Sequence, residues 1–446
     1  MATNPQPALA RAIRLPHATA MVVGTIIGAS IFVQPSEVTS QVHSVGGVLL
    51  VWLAAGLLTL IGSLVCAELA STFTRTGGVY VYLTEAFHPA LGFLWGWAML
   101  VTMHTGIIAA IATIFARYTG FFIPLGTWGR RAVAIAVILL LSAVNYVGVK
   151  QGSRLQTWFT AGKVLAIVAI VTMGFALGGR VEQHFVGSAS AGGDTLSGFL
   201  LAMGAGLFAY GGWHMVTYSA EETVEPAKTI PRALLLGTLL VTVAYMAMTA
   251  VYLYVMPLDR VASSTRVAAD LADTLLGSGG GAAISAIVMF SSFGALAGIV
   301  LAGPRVYYAM AQDGLLFRWL GEVHPKYATP HRAIVLQAVW ASVLVATGTF
   351  RALFTRVIYT EWLFFGLLAI GLMLLRRRGA QRQYSIWGYP FTPIVFVLVS
   401  FAVVAQTLMA NPLDSAIGLG LVAIGLPIYL LGRGARERDV LGAGGS

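Results

Sequence analysis

Gly24-Thr25-Ile26-Ile27-Gly28-Ala29-Ser30-Ile31-Phe32 places two glycines inside an apolar run that extends from about residue 17 to 43. A second interruption, Gly206-Leu207-Phe208-Ala209-Tyr210-Gly211-Gly212-Trp213, with Gly204 just before it, falls inside the run near 195–217. A membrane span needs about 20 apolar residues. Runs of that size also lie near 46–71, 90–116, 131–149, 155–178, 233–256, 281–303, 332–349, 354–375, 391–410 and 414–432, so twelve spans are expected. The two interrupted spans are the first and the sixth, and each opens a five-span half. Interrupted helices at corresponding positions of two halves mark transporter sites, because unwound backbone exposes amides and carbonyls at mid-membrane depth. Gly24 and Gly28 also form a GxxxG, which favours close helix packing. For one span alone packing and function weigh equally, and the paired placement favours function.

Composition agrees with a membrane protein. Of 446 residues, 58% are hydrophobic and 10% charged, against roughly 25% charged in soluble domains. The net charge of +10 comes from 27 Lys and Arg dispersed between apolar runs, with no basic face for nucleic acid. Placing the N-terminus inside puts 18 of them on the cytoplasmic side and 8 outside, leaving Lys163 within a span. That asymmetry follows the positive-inside rule, so both termini are expected in the cytoplasm. Cys66 is the sole cysteine and lies in an apolar run, so no internal disulfide is possible. The first span exceeds a signal-peptide h-region and no A-x-A-like site follows it. Apart from the Gly-, Ser- and Ala-rich connection near 179–194, nothing resembles a soluble domain, and residues 1–446 read as one transporter domain.

A broken helix presents N–H groups with a partial positive dipole, suited to a carboxylate. The end of the preceding half presents carbonyls, suited to an ammonium. Together they describe a receptor for a zwitterion, and an α-amino acid fits better than a sugar or an inorganic ion.

With those residues in view, the chain resembles the amino acid–polyamine–organocation (APC) superfamily, most closely its L-type amino acid transporter branch and bacterial relatives. Gly24 to Phe32 is similar to the family's G-T-I-I-G-S-G-I-F, and Gly206 to Trp213 to the L-type sixth span. AEETVEPAKTIPRAL at 220–234, AEL around Glu68, TGGVYVYLTEAF at 76–87 and RVYYAMAQDGLLF at 305–317 extend the match from about 17 to 378. The resemblance implies an all-α, LeuT-like fold of 12 transmembrane helices. Its 5+5 inverted repeat would comprise 17–178 and 195–375, with helices 1 and 6 broken and the spans in 391–432 outside it. It also implies that amides of Ala29, Ser30 and Ile31, beside Gly28, take a carboxylate. Carbonyls of Thr25 and Ile26, and of Phe208 with nearby Gly211, take the ammonium, and the Phe208 ring closes over the substrate. Ser30, Val79, Ala297 and Pro304 depart from the family's usual residues.

Lys163 lies eight residues beyond Leu155, about 12 Å into a bilayer core about 30 Å thick. A long stem of this kind can snorkel to the interface; the resemblance implies instead that its ammonium stands where sodium-driven relatives hold an ion, bridging Gly24 to Ser291 or Ser292. A fixed ammonium makes transport sodium-independent, whereas a lysine that exchanges its proton would give proton coupling, the alternative mechanism. Glu68 and Glu361 are acids within spans, where such groups are functional or paired. Glu68 is a gating candidate. His214 and His104 lack metal spacing and read as packing histidines, with a pH-sensitive gate as the other reading. Tyr210 and Trp213 read as packing aromatics or selectivity residues.

No acid occurs between Gly24 and Gln34, Phe199 and Ser219, or Ile284 and Gly303. Neutral substrates are therefore expected, provided the third and tenth spans add no carboxylate such as Glu361. Met289, Phe290 and Phe293 are candidates for an apolar wall. HExxH, GxSxG and clustered His/Cys are absent from the sequence, so an enzyme, a metal or another cofactor is not expected. A channel would need a continuous polar pore. A transporter-like nutrient sensor would need a longer tail than 433–446, and a cationic amino acid or polyamine carrier ranks lower still. The expected activity is exchange of neutral L-amino acids by alternating access. Eukaryotic L-type relatives attach to a heavy chain through a cysteine after the third span; 117–130 has none, so no disulfide-linked heavy chain is expected. No N-x-Ser/Thr acceptor occurs, which with the short termini points to a bacterial inner membrane.

Overall fold

The computed structural model describes residues 13–147, 149–179, 181, 195–277, 279–348 and 350–431, and of 149–155 and 350–358 only the backbone. The connection 182–194, Arg11, Arg180, Arg433, Arg436 and Arg438 lie outside the described residues, as do the side chains of Lys150, Arg154, Arg351 and Arg356.

The chain is all-α, with no strand among the described residues. Its helices are α1 (Leu15–Ile26), α2 (Gln34–Thr39), α3 (Val45–Thr72), α4 (Val79–Ala86), α5 (Pro89–Val101), α6 (Met103–Phe122), α7 (Thr127–Val147), α8 (Val149–Leu177) and α9 (Leu196–Ala209). Then follow α10 (Pro226–Val255), α11 (Leu258–Ser263), α12 (Val267–Leu276), α13 (Gly280–Gln312), α14 (His331–Thr347), α15 (Phe350–Arg377), α16 (Phe391–Ala410) and α17 (Pro412–Ala423). Eleven helical segments of the described residues are long and apolar enough to cross a membrane. The segment expected near 332–349 is α14, an apolar helix of 17 residues, about 25 Å long. The count of twelve thus depends on this shorter helix.

Helix α1, α6, α13 and the Leu196–Glu222 segment are mostly buried, whereas α7, α8, α16 and α17 form the periphery. Peripheral side chains such as Trp158, Leu165, Val243, Phe391, Met409 and Leu413 are exposed. Large apolar groups displayed on this scale suit hydrocarbon rather than water. The buried segments form an inner ring, in which α1 packs on α10 and α13 and α6 packs on α13 and α15.

Both interruptions occur at their expected positions. After Ile26, Ile27 leaves helical geometry (φ −71°, ψ 86°), a 3-10 turn spans Ser30–Phe32, and α2 restarts with Pro35 in its first turn. After Ala209, Gly212 takes φ +100°, and the chain continues as a 3-10 helix, Trp213–Glu222. Glycine adopts positive φ without the Cβ clash. A Cβ at Gly212 would sit 3.1 Å from the Thr25 carbonyl oxygen, so the two interruptions touch at this glycine.

Pro304 lies inside α13. It has no N–H to give the Val300 carbonyl one turn back, and Gln337 of α14 donates there instead, at 3.1 Å. The His104 Nε2 reaches the neighbouring Ile299 carbonyl at 2.7 Å.

Candidate functional site

An unwound stretch inside a membrane releases carbonyls that need other donors. Side chains from four helices supply them. Lys163 of α8 donates to the carbonyls of Gly24 at 3.0 Å and Ile27 at 2.9 Å. Tyr245 of α10 lies within hydrogen-bond distance of Ile26 (2.9 Å) and Ala209 (3.1 Å), so one hydroxyl joins both interruptions. Ser291 of α13 donates to Gly28 at 3.1 Å, and Tyr118 of α6 to Phe32 at 3.3 Å. Within the strip, the Thr25 hydroxyl lies 2.7 Å from Met21 and 3.1 Å from the Gly212 carbonyl across the gap.

Beside this strip is a cavity. Thr25, Ile26, Gly28 and Ser30 line it from the first interruption, and Phe208, Gly211 and Gly212 from the second. Ala29 and Ile31 are buried beside them but are not among its lining residues. Their amides belong to the start of the 3-10 turn, where the first N–H groups lack acceptors within the turn. Backbone of both interruptions thus meets at one cavity.

The remaining walls differ from expectation. Met289, Phe290 and Phe293 do not line the cavity. The Phe290 ring packs at 4.3 Å on Phe159, and Met289 Sδ meets the Thr119 hydroxyl. The apolar wall consists of Ile107 and Ile111 of α6, Met215 of the 3-10 helix and Ile299 of α13. These four had no local signal, being ordinary apolar residues brought in by tertiary packing. The proviso attached to a neutral substrate also fails, because Glu361 of α15, within the tenth span, lines the cavity.

Lys163 does not snorkel. It is 2% exposed and ends on the broken helix. The expected bridge to a serine of the eighth span is replaced by a second carbonyl, that of Ile27. Ser291 reaches α1 separately, and Ser292 turns back to Val288 of its own helix at 2.6 Å. No group of three or more potential metal ligands occurs among the described residues.

Glu68 stands outside the cavity lining. Arg376 grips it with Nε at 2.6 Å and Nη2 at 2.5 Å, and the Ile386 amide donates at 2.7 Å. Arg382 adds a contact at 3.6 Å. This buried carboxylate ties α3 to the end of α15 and the loop beyond. The Tyr210 hydroxyl donates to the Trp52 carbonyl, and the Trp213 ring packs on Phe365 at 4.9 Å between centroids. His214 lies with its Nε2 3.9 Å from Glu361 Oε1.

The model of the Amino acid permease family matches residues 13–426. The Bacillus subtilis serine/threonine exchanger SteT is 32% identical over 426 residues, 94% of this chain and 96% of the relative. The mouse b(0,+)-type amino acid transporter 1 is 31% identical over 398 residues, covering 88% of this chain and 81% of the relative. The human large neutral amino acids transporter small subunit 2 is 31% identical over 440 residues, covering 95% and 81%.

Proposed function

Because this chain belongs to the Amino acid permease family, we propose that it exchanges neutral L-amino acids across a membrane by alternating access, without sodium. The observation that carries the reading is the Lys163 ammonium fixed on the Gly24 and Ile27 carbonyls, directly beside the cavity. A cation built into the chain stabilises the broken helix but crosses with nothing, so no ion gradient enters the cycle. The carboxylate of the substrate meets amides at 29–31, its ammonium meets carbonyls near 25–26 and 208–211, and the Phe208 ring closes the site. Tyr245 shares the Ile26 carbonyl, so the ammonium relies more on Thr25 and the second interruption. Two of the relatives, a serine/threonine exchanger and a large neutral amino acids transporter subunit, favour the same class.

In this reading 17–178 and 195–375 form the two inverted halves, with α16 and α17 outside them. Both termini face the cytoplasm of a bacterial inner membrane, and no heavy chain is attached by disulfide. The test uses purified protein in liposomes, following labelled neutral amino acids with and without internal unlabelled substrate, sodium or a proton gradient. Uptake that needs internal amino acid and ignores both gradients is expected. Acceleration into empty liposomes by an inward proton gradient would replace exchange with symport, and binding without flux would replace transport with sensing.

A further inference from the structure

Glu361 is the one acid among the described residues lining the cavity, and it is 4% exposed. Ile107, Ile111, Met215 and Ile299 share the lining with it, and the hydroxyl-bearing Thr25 and Ser30 belong to the first interruption. Its titratable neighbour, His214, is at 3.9 Å, too far for a hydrogen bond. The His214 ring is surrounded by Trp95, Trp213, Tyr218 and Phe365, and neither of its nitrogens has a hydrogen-bond partner among the described residues. A buried carboxyl without a donor is costly in apolar surroundings. The missing donor has room to arrive from the cavity side.

We propose, resting on the neutral amino acid reading above, that Glu361 determines side-chain specificity by accepting a hydrogen bond from the substrate. The class it selects is neutral amino acids with a hydroxyl side chain, over apolar residues of the same shape. The count of donors decides against a cationic side chain. An ammonium brings three N–H groups and a guanidinium five, and one carboxyl among aliphatic walls leaves most of them unpaired. A hydroxyl brings a single donor, which one carboxyl oxygen satisfies.

The experiment compares amino acids that differ by one polar group. Full-length protein in liposomes exchanges labelled serine, in competition with unlabelled threonine or valine. In the wild type threonine competes about tenfold better than valine, the worth of one well-placed hydrogen bond. Glu361→Leu brings that ratio close to one, whereas Glu361→Gln, whose amide oxygen still accepts, keeps most of it. An unchanged threonine-to-valine ratio in Glu361→Leu overturns the assignment, as does lysine or arginine competing better than threonine. Should Glu361→Leu fail to insert, ligand-dependent thermal shifts of the detergent-purified wild type decide, and valine matching threonine there overturns it too. Absence of competition by every neutral amino acid would instead overturn the transport reading on which the assignment rests.

Discussion

Lys163 contributes two charge-assisted hydrogen bonds to a stretch of backbone that has no helix of its own. Each is worth about 1.5–3 kcal/mol, so replacing the ammonium releases the strip as well as leaving two buried carbonyls unpaired. Lys163→Ala is expected to lower exchange by tenfold or more in liposomes while the protein still inserts. Exchange at the wild-type rate would remove the lysine from the mechanism. Glu68 makes a different prediction. Its pair with Arg376 is buried, and taking away one partner of such a pair costs about 3–5 kcal/mol. Glu68→Gln should therefore lower the apparent Tm in detergent and leave the preference among substrates unchanged, and a changed preference would return Glu68 to the site. At this scale the sequence was informative where a residue type was anomalous for its setting: a lysine inside a span, glycines in mid-helix, acids among leucines. It was silent on Tyr245, which meets Ile26 across 219 positions, because a tyrosine in an apolar helix has no local mark that tells which carbonyl it will find.

Among elements, the paired interruptions were legible because glycine is costly in a helix interior and each one falls in the opening span of a five-span half. The short helices α4, α11 and α12 were not, since they occupy connections and hold no run of membrane-spanning length. The span expected at 90–116 is two helices, α5 and α6, separated at Thr102, whose backbone (φ −132°, ψ −54°) leaves the helix. No glycine or proline stands there to announce it. The contact of Gly212 with Thr25 gives a test at this scale. Alanine at a positive φ costs about 1–3 kcal/mol, and its Cβ would press on the Thr25 carbonyl. Gly212→Ala is expected to reduce exchange several-fold by separating the two interruptions, whereas Gly46→Ala, at a helical position with open space around it, should leave exchange intact. Equal activities would show that the contact has no part in transport.

For the whole molecule, the periphery and the inner ring carry separate information. The exposed aliphatic surface follows from composition, while the cavity follows from which faces meet inside, and only the first could be counted from the chain. The proposed orientation has its own measurement. In a Cys66→Ser background, Trp128→Cys should react with a membrane-impermeant maleimide added to intact cells, and Tyr327→Cys should react only after the membrane is opened. The reverse pattern would invert the topology. The strip from Gly24 to Phe32 presents main-chain oxygens to Lys163, Tyr245, Ser291, Tyr118 and Tyr252, the last at 3.4 Å from the Ile31 oxygen. Side chains at Ile27 and Ile31 can therefore drift among apolar residues with little effect on these bonds, whereas the five donors cannot be exchanged so freely. Two proteins that spell this strip alike can thus handle cargo differently, and the vocabulary that separates them is written on the helices that surround it.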